Sequence, residues 1–193
     1  HWGSTLHGLD LIVTNSGSHG VFLNTQSDAV IDRINVSNSG GNGILVSTAS
    51  SVRAIGCIAN NCSLGIHVTN QSNAVFNNST IDNSIGNGVF INECSSVMCS
   101  TSNIRNAGGI AIGVGRVSSL SAENCVLSGY TTYGLQVYRG AKVNAYGTNA
   151  RKGVSDSTTD IQITDGGYVD NSTGVGGSNV SVNSYTANGV LLR

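Results

Sequence analysis

Proline is missing altogether from this 193-residue chain, and charged residues make up only 10% of it. With no proline, the chain is neither collagen-like nor a polyproline spacer. So little charge also argues against a solvated disordered tail, which needs high charge and few branched aliphatics. The formal net charge of −1 offers no basic footprint, so no nucleic-acid partner is expected. No apolar run approaches the roughly 20 residues that span a bilayer as a helix, and no membrane insertion is expected. The start lacks the cationic-then-apolar order of a signal peptide. It opens on HWGSTLHGLDL, which reads as the middle of a pattern, so the chain is expected to be part of a longer polypeptide.

The cysteines are few and odd in number: Cys57, Cys62, Cys94, Cys99 and Cys125. They contain no CxxC and no zinc-type ligand pairs, and they make a poor disulfide framework. Most are expected to be small, reduced core residues of a protein made in a reducing cytoplasm. No metal site and no cofactor are expected. Asn-x-Ser/Thr sequons, at Asn35 and Asn171 among others, are expected by chance in so Asn- and Ser-rich a chain.

What the chain does have is 26 glycines, many Asn, Ser and Thr, and a repeat. Rows beginning at Gly20, Gly43, Gly65, Gly88, Ala111 and Gly134 are spaced 23, 22, 23, 23 and 23 residues apart. Each row opens with two apolar residues spaced by two: Val21 and Leu23, Ile44 and Val46, Ile66 and Val68, Val89 and Ile91, Ile112 and Val114, Leu135 and Val137. A spacing of two predicts strands, not helices. A second apolar column is read at Val30, Val52, Val75, Val97, Leu120 and Val143, and a third at Val36, Ile58, Ile81, Ile104 and Val126. Cys57, Thr80, Ser102, Cys125 and Thr148 are read as a stack of small residues. The Asn-, Ser- and Gly-rich stretches between strands suit left-handed corners.

No row holds the ten or more residues of helical periodicity that a helical solenoid needs, and the leucine-rich repeat signature is absent. The expected fold is all-β, a single-stranded parallel β-helix with about 23 residues per turn. The expected boundaries are 1–150 for the regular coil and 151–193 for an irregular loop and terminal strands that close it. Ile161 and Ile163 align with Leu135 and Val137, and the apolar Val190, Leu191 and Leu192 are expected to cover the open end or meet copies of themselves.

These row starts, corners and small-residue stack resemble the right-handed parallel β-helix of the pectin lyase-like superfamily over roughly residues 5 to 150. That family includes lyases, hydrolases, epimerases, adhesins and phage tailspikes. The composition and the closing NVSVNSYTANGVLLR most resemble the C-terminal shaft of a bacteriophage tailspike or tail fibre. The resemblance implies a homotrimer on the virion that binds, and in some members depolymerises, bacterial surface polysaccharide. A stand-alone secreted polysaccharide lyase or glycoside hydrolase and a bacterial adhesin remain alternatives.

A glycoside hydrolase needs two carboxylates across the scissile bond. No acid in the regular rows has another acid in its own column one row away. The most site-like column is Glu93, Arg116 and Arg139, with Tyr138 beside it. As a catalytic set it would offer cations to neutralise a uronate. The same column also reads as a surface ion-pair ladder. Tyr130, Tyr133 and Tyr138 are candidates for substrate binding by sugar stacking. Asp156, Asp160, Asp165 and Asp170 form an acidic stretch without the residue order of a calcium loop.

Overall fold

The computed structural model describes residues 4–150, 159–170 and 190–192. They form three parallel sheets of nine, seven and seven strands, and the chain visits them in rotation. The first sheet begins with Thr5–Leu9, Asp28–Asp32 and Ser51–Arg53, the second with Ile12–Thr14, Asn35–Ser37 and Ile58–Asn60, and the third with Val21–Leu23, Asn42–Val46 and Leu64–Val68. Every strand pairs in parallel with the strand one turn away, as in Val21↔Ile44 and Ile44↔Ile66. Among the described residues there is no helix. The expected coil is therefore the fold.

Alternation fills the interior. The third sheet contributes Ile44, Ile66, Val89, Ile112, Leu135 and Ile161, all at most 2% exposed, and two positions later Val46, Val68, Ile91, Val114 and Val137. Burying each such side chain is worth about 1.5–3 kcal/mol, so the coil is held mainly by these columns. Strands occur on both sides of residue 150: Thr159–Ile163 pairs with Tyr133–Val137, and Tyr168–Asp170 with both Lys142–Asn144 and Val190–Leu192.

Two of the expected columns are out of register. On the first sheet the inward residues are Ala29, Val52, Ala74, Val97 and Leu120, so Val30 and Val75 face outward, in line with Arg53 and Met98. On the second sheet Ala59 and Leu127 point inward, while Ile58 and Val126 are 41% and 36% exposed. A slip of one residue turns a strand side chain to the opposite face. Choosing the bulkier apolar residue over the constant pitch produces that slip. The small-residue stack contains Ser79, not Thr80, because Cys57 N–H donates to Ser79 Oγ (3.1 Å) and Ser79 N–H to Ser102 Oγ (3.1 Å). Here the cause is a shortened corner: Asn42 pairs with Leu64, so Asn61 to Gly65 spans one residue fewer than Asn38 to Gly43.

Three corners join the sheets, and each holds residues at positive φ. Arg33 (54°) follows the first sheet, Asn38 (56°) and Asn61 (52°) follow the second, and a consecutive left-handed pair such as Thr48 (57°) and Ala49 (56°) follows the third. Asn tolerates this region better than most residues. The asparagines also bond between turns, Asn61 Nδ2 to Asn38 Oδ1 (3.1 Å) and Asn38 Nδ2 to Asn15 Oδ1 (3.2 Å). After the third corner a buried serine ladder takes over: the amides of Ser27, Ser50, Ser72 and Ser95 each donate to the hydroxyl of the serine one turn on, at 3.1–3.2 Å. Buried amides need such partners.

Cys57, Cys62, Cys99 and Cys125 are buried free thiols, and Cys94 is an exposed one in the third corner. Burial pushes the Cys57 thiol up to about 11. A thiol reagent is therefore expected to titrate only Cys94 in the native protein and all five cysteines in denaturant. Rapid native labelling of a second thiol would contradict the packed interior.

Candidate functional site

Among the described residues, two concave surfaces on the outside of the coil bear on function. One follows the outer face of the first sheet from Thr5 to Ser121, with a volume of about 640 Å³. Its floor is two columns made by alternation: Asp28, Ser51, Asn73, Ser96 and Ser119, and beside them Val30, Arg53, Val75, Met98 and Ser121. Ser119 Oγ donates to Ser96 Oγ at 3.1 Å, so hydroxyls stack along the first column. Arg53 is tethered to Asp32 (2.7 Å), which also accepts from the Ile55 amide. Those two donors, Arg53 first, hold the Asp32 carboxyl below the usual carboxylate range.

The second hollow, about 660 Å³, lies over the third corner between Thr48 and Val117. Glu93 and Arg116 both line it, 2.6 Å apart, and Thr69 Oγ1 donates to the other Glu93 oxygen at 2.9 Å. Both sit at positive φ (57° and 52°), as does Arg139 (50°). The backbone of this corner runs in register from turn to turn, with Val117 N–H donating to Arg139 O and Gly140 N–H to Asp165 O. The expected column is therefore real. Its third member turns aside: the Arg139 guanidinium carbon lies 6.0 Å from the centroid of the Tyr138 ring. Val117, a β-branched residue, is held at φ 61° in this corner, where the following turns place Gly140 and Gly166.

The three tyrosines do not form a platform. Tyr130 is fully buried, and its hydroxyl donates to the buried Asp160. Burial is the main cause that drives its phenol well above the ordinary tyrosine range, followed by the bond to Asp160. Tyr133 is half-buried on the third sheet and accepts from Gln162 Nε2 at 2.8 Å. Tyr138 lies against Gly115, where a Cβ would sit 2.3 Å from the ring. Sequence spacing put them close together; alternation and the corners send them to three different places. Tyr130 cannot stack on a sugar because its ring is inside the coil.

The acidic stretch disperses in the same way. Asp160 faces the core, Asp165 stands in the third corner (φ 51°) and Asp170 on the first sheet, while Asp156 lies outside the described residues. Among the described residues no three His, Cys, Asp or Glu side chains converge as metal ligands. Acids elsewhere are tied down locally. Asp10 accepts two bonds from Arg33 (2.6 and 2.8 Å), and Asp82 accepts from Arg105 and Asn106 (both 2.8 Å). The Arg33 bond holds the Asp10 carboxyl below its usual range. A carboxylate held ionised in this way is a poor general acid.

The groove of the first sheet was not singled out from the sequence. A signal for it exists, the recurrence of Ser or Asn at Ser51, Asn73, Ser96 and Ser119, each one residue before an inward aliphatic. The same polar residues read equally well as an ordinary solvated face.

No curated protein matches the chain in sequence. Among solved structures, that of pectate lyase Pel9A superposes with a TM-score of 0.63 at 12% identity, over 91% of this chain. This chain spans only 55% of that one. At such identity the likeness establishes the course of the backbone and nothing of the chemistry. The model of the right-handed β-helix region matches residues 3–150, which covers most of the 193 residues. By that match, and by three parallel sheets visited in rotation, this chain belongs to the right-handed β-helix family.

Proposed function

We propose that the chain is a polysaccharide-binding β-helix whose glycan lies along the outer face of the first sheet. One observation carries the reading: an open groove of about 640 Å³ follows that sheet over several turns, lined by hydroxyl, amide, aliphatic and thioether side chains, with Asp28 and Arg53 toward its start. Strands stack about 4.8 Å apart, a step comparable to the width of one pyranose ring, so successive turns offer repeated contacts to a repeating polymer. The groove is built on strands paired from turn to turn, which limits the ordering cost of binding. In its fuller form the proposal makes the chain part of a phage tailspike or tail fibre, a homotrimer on the virion whose partner is bacterial surface polysaccharide. Composition and the closing residues support that part, and the fold is compatible with it.

The experiment is direct. Binding to a panel of bacterial capsular and O-antigen polysaccharides is measured for the parent chain and for Ser96→Trp, which fills the groove at an exposed position. We expect a bound glycan in the panel and a loss of at least about tenfold in the variant, the equivalent of about 1.4 kcal/mol. Binding unchanged by Ser96→Trp would move the site elsewhere. Light scattering is expected to return three times the chain mass; one chain mass would remove the trimer.

A second reading, a polysaccharide lyase, is favoured by the Glu93–Arg116 pair in the hollow of the third corner. It requires unsaturated uronates to appear on incubation with acidic polysaccharides, and Glu93→Gln to abolish them. If the pair is only a ladder, Glu93→Gln shifts stability by less than about 1 kcal/mol and leaves binding unchanged, since half-exposed ion pairs contribute little.

A further inference from the structure

The groove is uncharged where it is longest. Over three consecutive turns its outward floor consists of Asn73 and Val75, Ser96 and Met98, Ser119 and Ser121. None of these six ionises. The flanking charges are the Glu123 carboxylate, which accepts from Ser121 Oγ at 3.2 Å, Asp28 and Arg53 toward the start of the chain, and Lys142 on the strand beyond Ser119. Arg53 is engaged by Asp32 at 2.7 Å, and Asp28 accepts a hydrogen bond from Ser51. A polymer with one carboxylate per sugar would lay several anions on a floor whose own six side chains carry no cation, and beside the Glu123 carboxylate. Removing a charge from water without a partner is costly.

The floor is also two-sided. The first column presents an amide and stacked hydroxyls, while the second presents Val75 directly beside Met98, which is 44% exposed. Asn77 Nδ2 approaches Met98 Sδ at 3.7 Å and steadies the thioether on that side. An exposed thioether next to a branched aliphatic is an adaptable apolar contact. A ligand matching both columns has hydroxyls along one edge and methyl groups along the other. Resting on the groove reading above, we infer that the ligand is an uncharged polysaccharide bearing methyl groups, from acetamido, O-acetyl or 6-deoxy sugars, with the methyls seated on Val75 and Met98. This sets the chain apart from binders of polyuronates.

The test compares four soluble polymers by calorimetry: one of N-acetylhexosamine, one rich in 6-deoxyhexose, a dextran with no methyl groups, and a polyuronate. The expected result is binding to one or both methyl-bearing polymers, with an affinity unchanged between low and high salt, because no ion pair contributes. The first two arms distinguish the source of the methyl groups. Met98→Gln, and separately Val75→Thr, are expected to weaken that binding by about tenfold, the loss expected for a buried apolar contact. Their thermal melts should match the parent, since both side chains face outward. Tighter binding to the polyuronate, falling with salt, overturns this inference and leaves the groove reading in place if Ser96→Trp blocks it. Dextran binding equal to that of the methyl-bearing polymers overturns the inference in the same way. Binding to none of the four, nor to any member of the wider panel, overturns both.

Discussion

Gly65→Val is expected to lower the stability of the coil by about 3 kcal/mol or more, the upper range for overpacking a filled interior. For a chain of this length that corresponds to a fall of roughly 6–12 °C in Tm. A Cβ at Gly65 would lie 2.3 Å from Cγ2 of Ile81 and 2.5 Å from the carbonyl oxygen of Gly88. The isoleucine can turn away, but the carbonyl cannot, because Gly88 O accepts the Ile66 amide at 2.9 Å within the ladder that joins the turns. The same crowding recurs through the column. The Cβ would meet a carbonyl of the next turn at 2.8 Å for Gly20, 2.6 Å for Gly43, 2.7 Å for Gly88 and 2.6 Å for Gly134. Ala111 and, after Gly134, Asp160 are the column's non-glycine members, and Ala111 shows that a methyl group is accommodated one turn before Gly134. Denaturant unfolding followed by circular dichroism checks the result, with Ala111→Gly as the control at about 1 kcal/mol or less. If Gly65→Val melts within about 1 kcal/mol of the parent, the tight approach at this column is wrong.

Tyr130→Phe carries the second large effect. The phenol is fully buried and donates to one oxygen of Asp160, itself 0% exposed; the other oxygen, Oδ2, has no hydrogen-bond partner. The substitution keeps the ring and removes the donor, leaving a buried carboxyl with neither oxygen bonded. The expected cost near neutral pH is about 1–3 kcal/mol, the penalty for leaving a buried polar group without its partner. The pH dependence gives an independent check. Burial first, and then the bond to Asp160, raise the phenol above its unfolded value of about 10. A raised folded value means that the neutral form is favoured in the coil. The stability linked to it is therefore fully present below about pH 10 and is lost as pH rises further. Melting temperatures taken from neutral to strongly alkaline pH are expected to show the parent falling toward Tyr130→Phe, with the gap closing above about pH 10. Parallel curves over that range would mean that Tyr130 is not the titrating group.

The hollow of the third corner shows how far the sequence reaches into function. The order Glu93, Arg116, Arg139 was legible from the pitch alone, and the ion pair between the first two follows from it. The pairing of Arg139 with Tyr138 was not, since it depends on which way a guanidinium turns at a corner. Tyr130 illustrates the opposite limit. It stands two residues after Ser128, an outward position at the end of a second-sheet strand, and beside the left-handed Gly129. Whether such a residue enters the core depends on the path of the corner, which spacing does not record. The groove was missed for a related reason: Ser and Asn are uninformative singly and become a surface only when neighbouring turns place them side by side.

The sequence by itself determined the architecture, because a strict pitch combined with alternation leaves one way to bury Ile44, Ile66, Val89 and Ile112 together. It also determined the pairing of each turn with the next, since like residues recur at the same column. The tertiary structure decided the rest. The one-residue shortening between Asn61 and Gly65 resets every column that crosses it, and so decides that Ser79 rather than Thr80 joins the buried stack. The left-handed corners decide that Glu93 and Arg116 share a hollow while Tyr130 goes inside. Such choices depend on backbone geometry summed around a whole turn, whereas the hydrophobic columns need only a count along the chain.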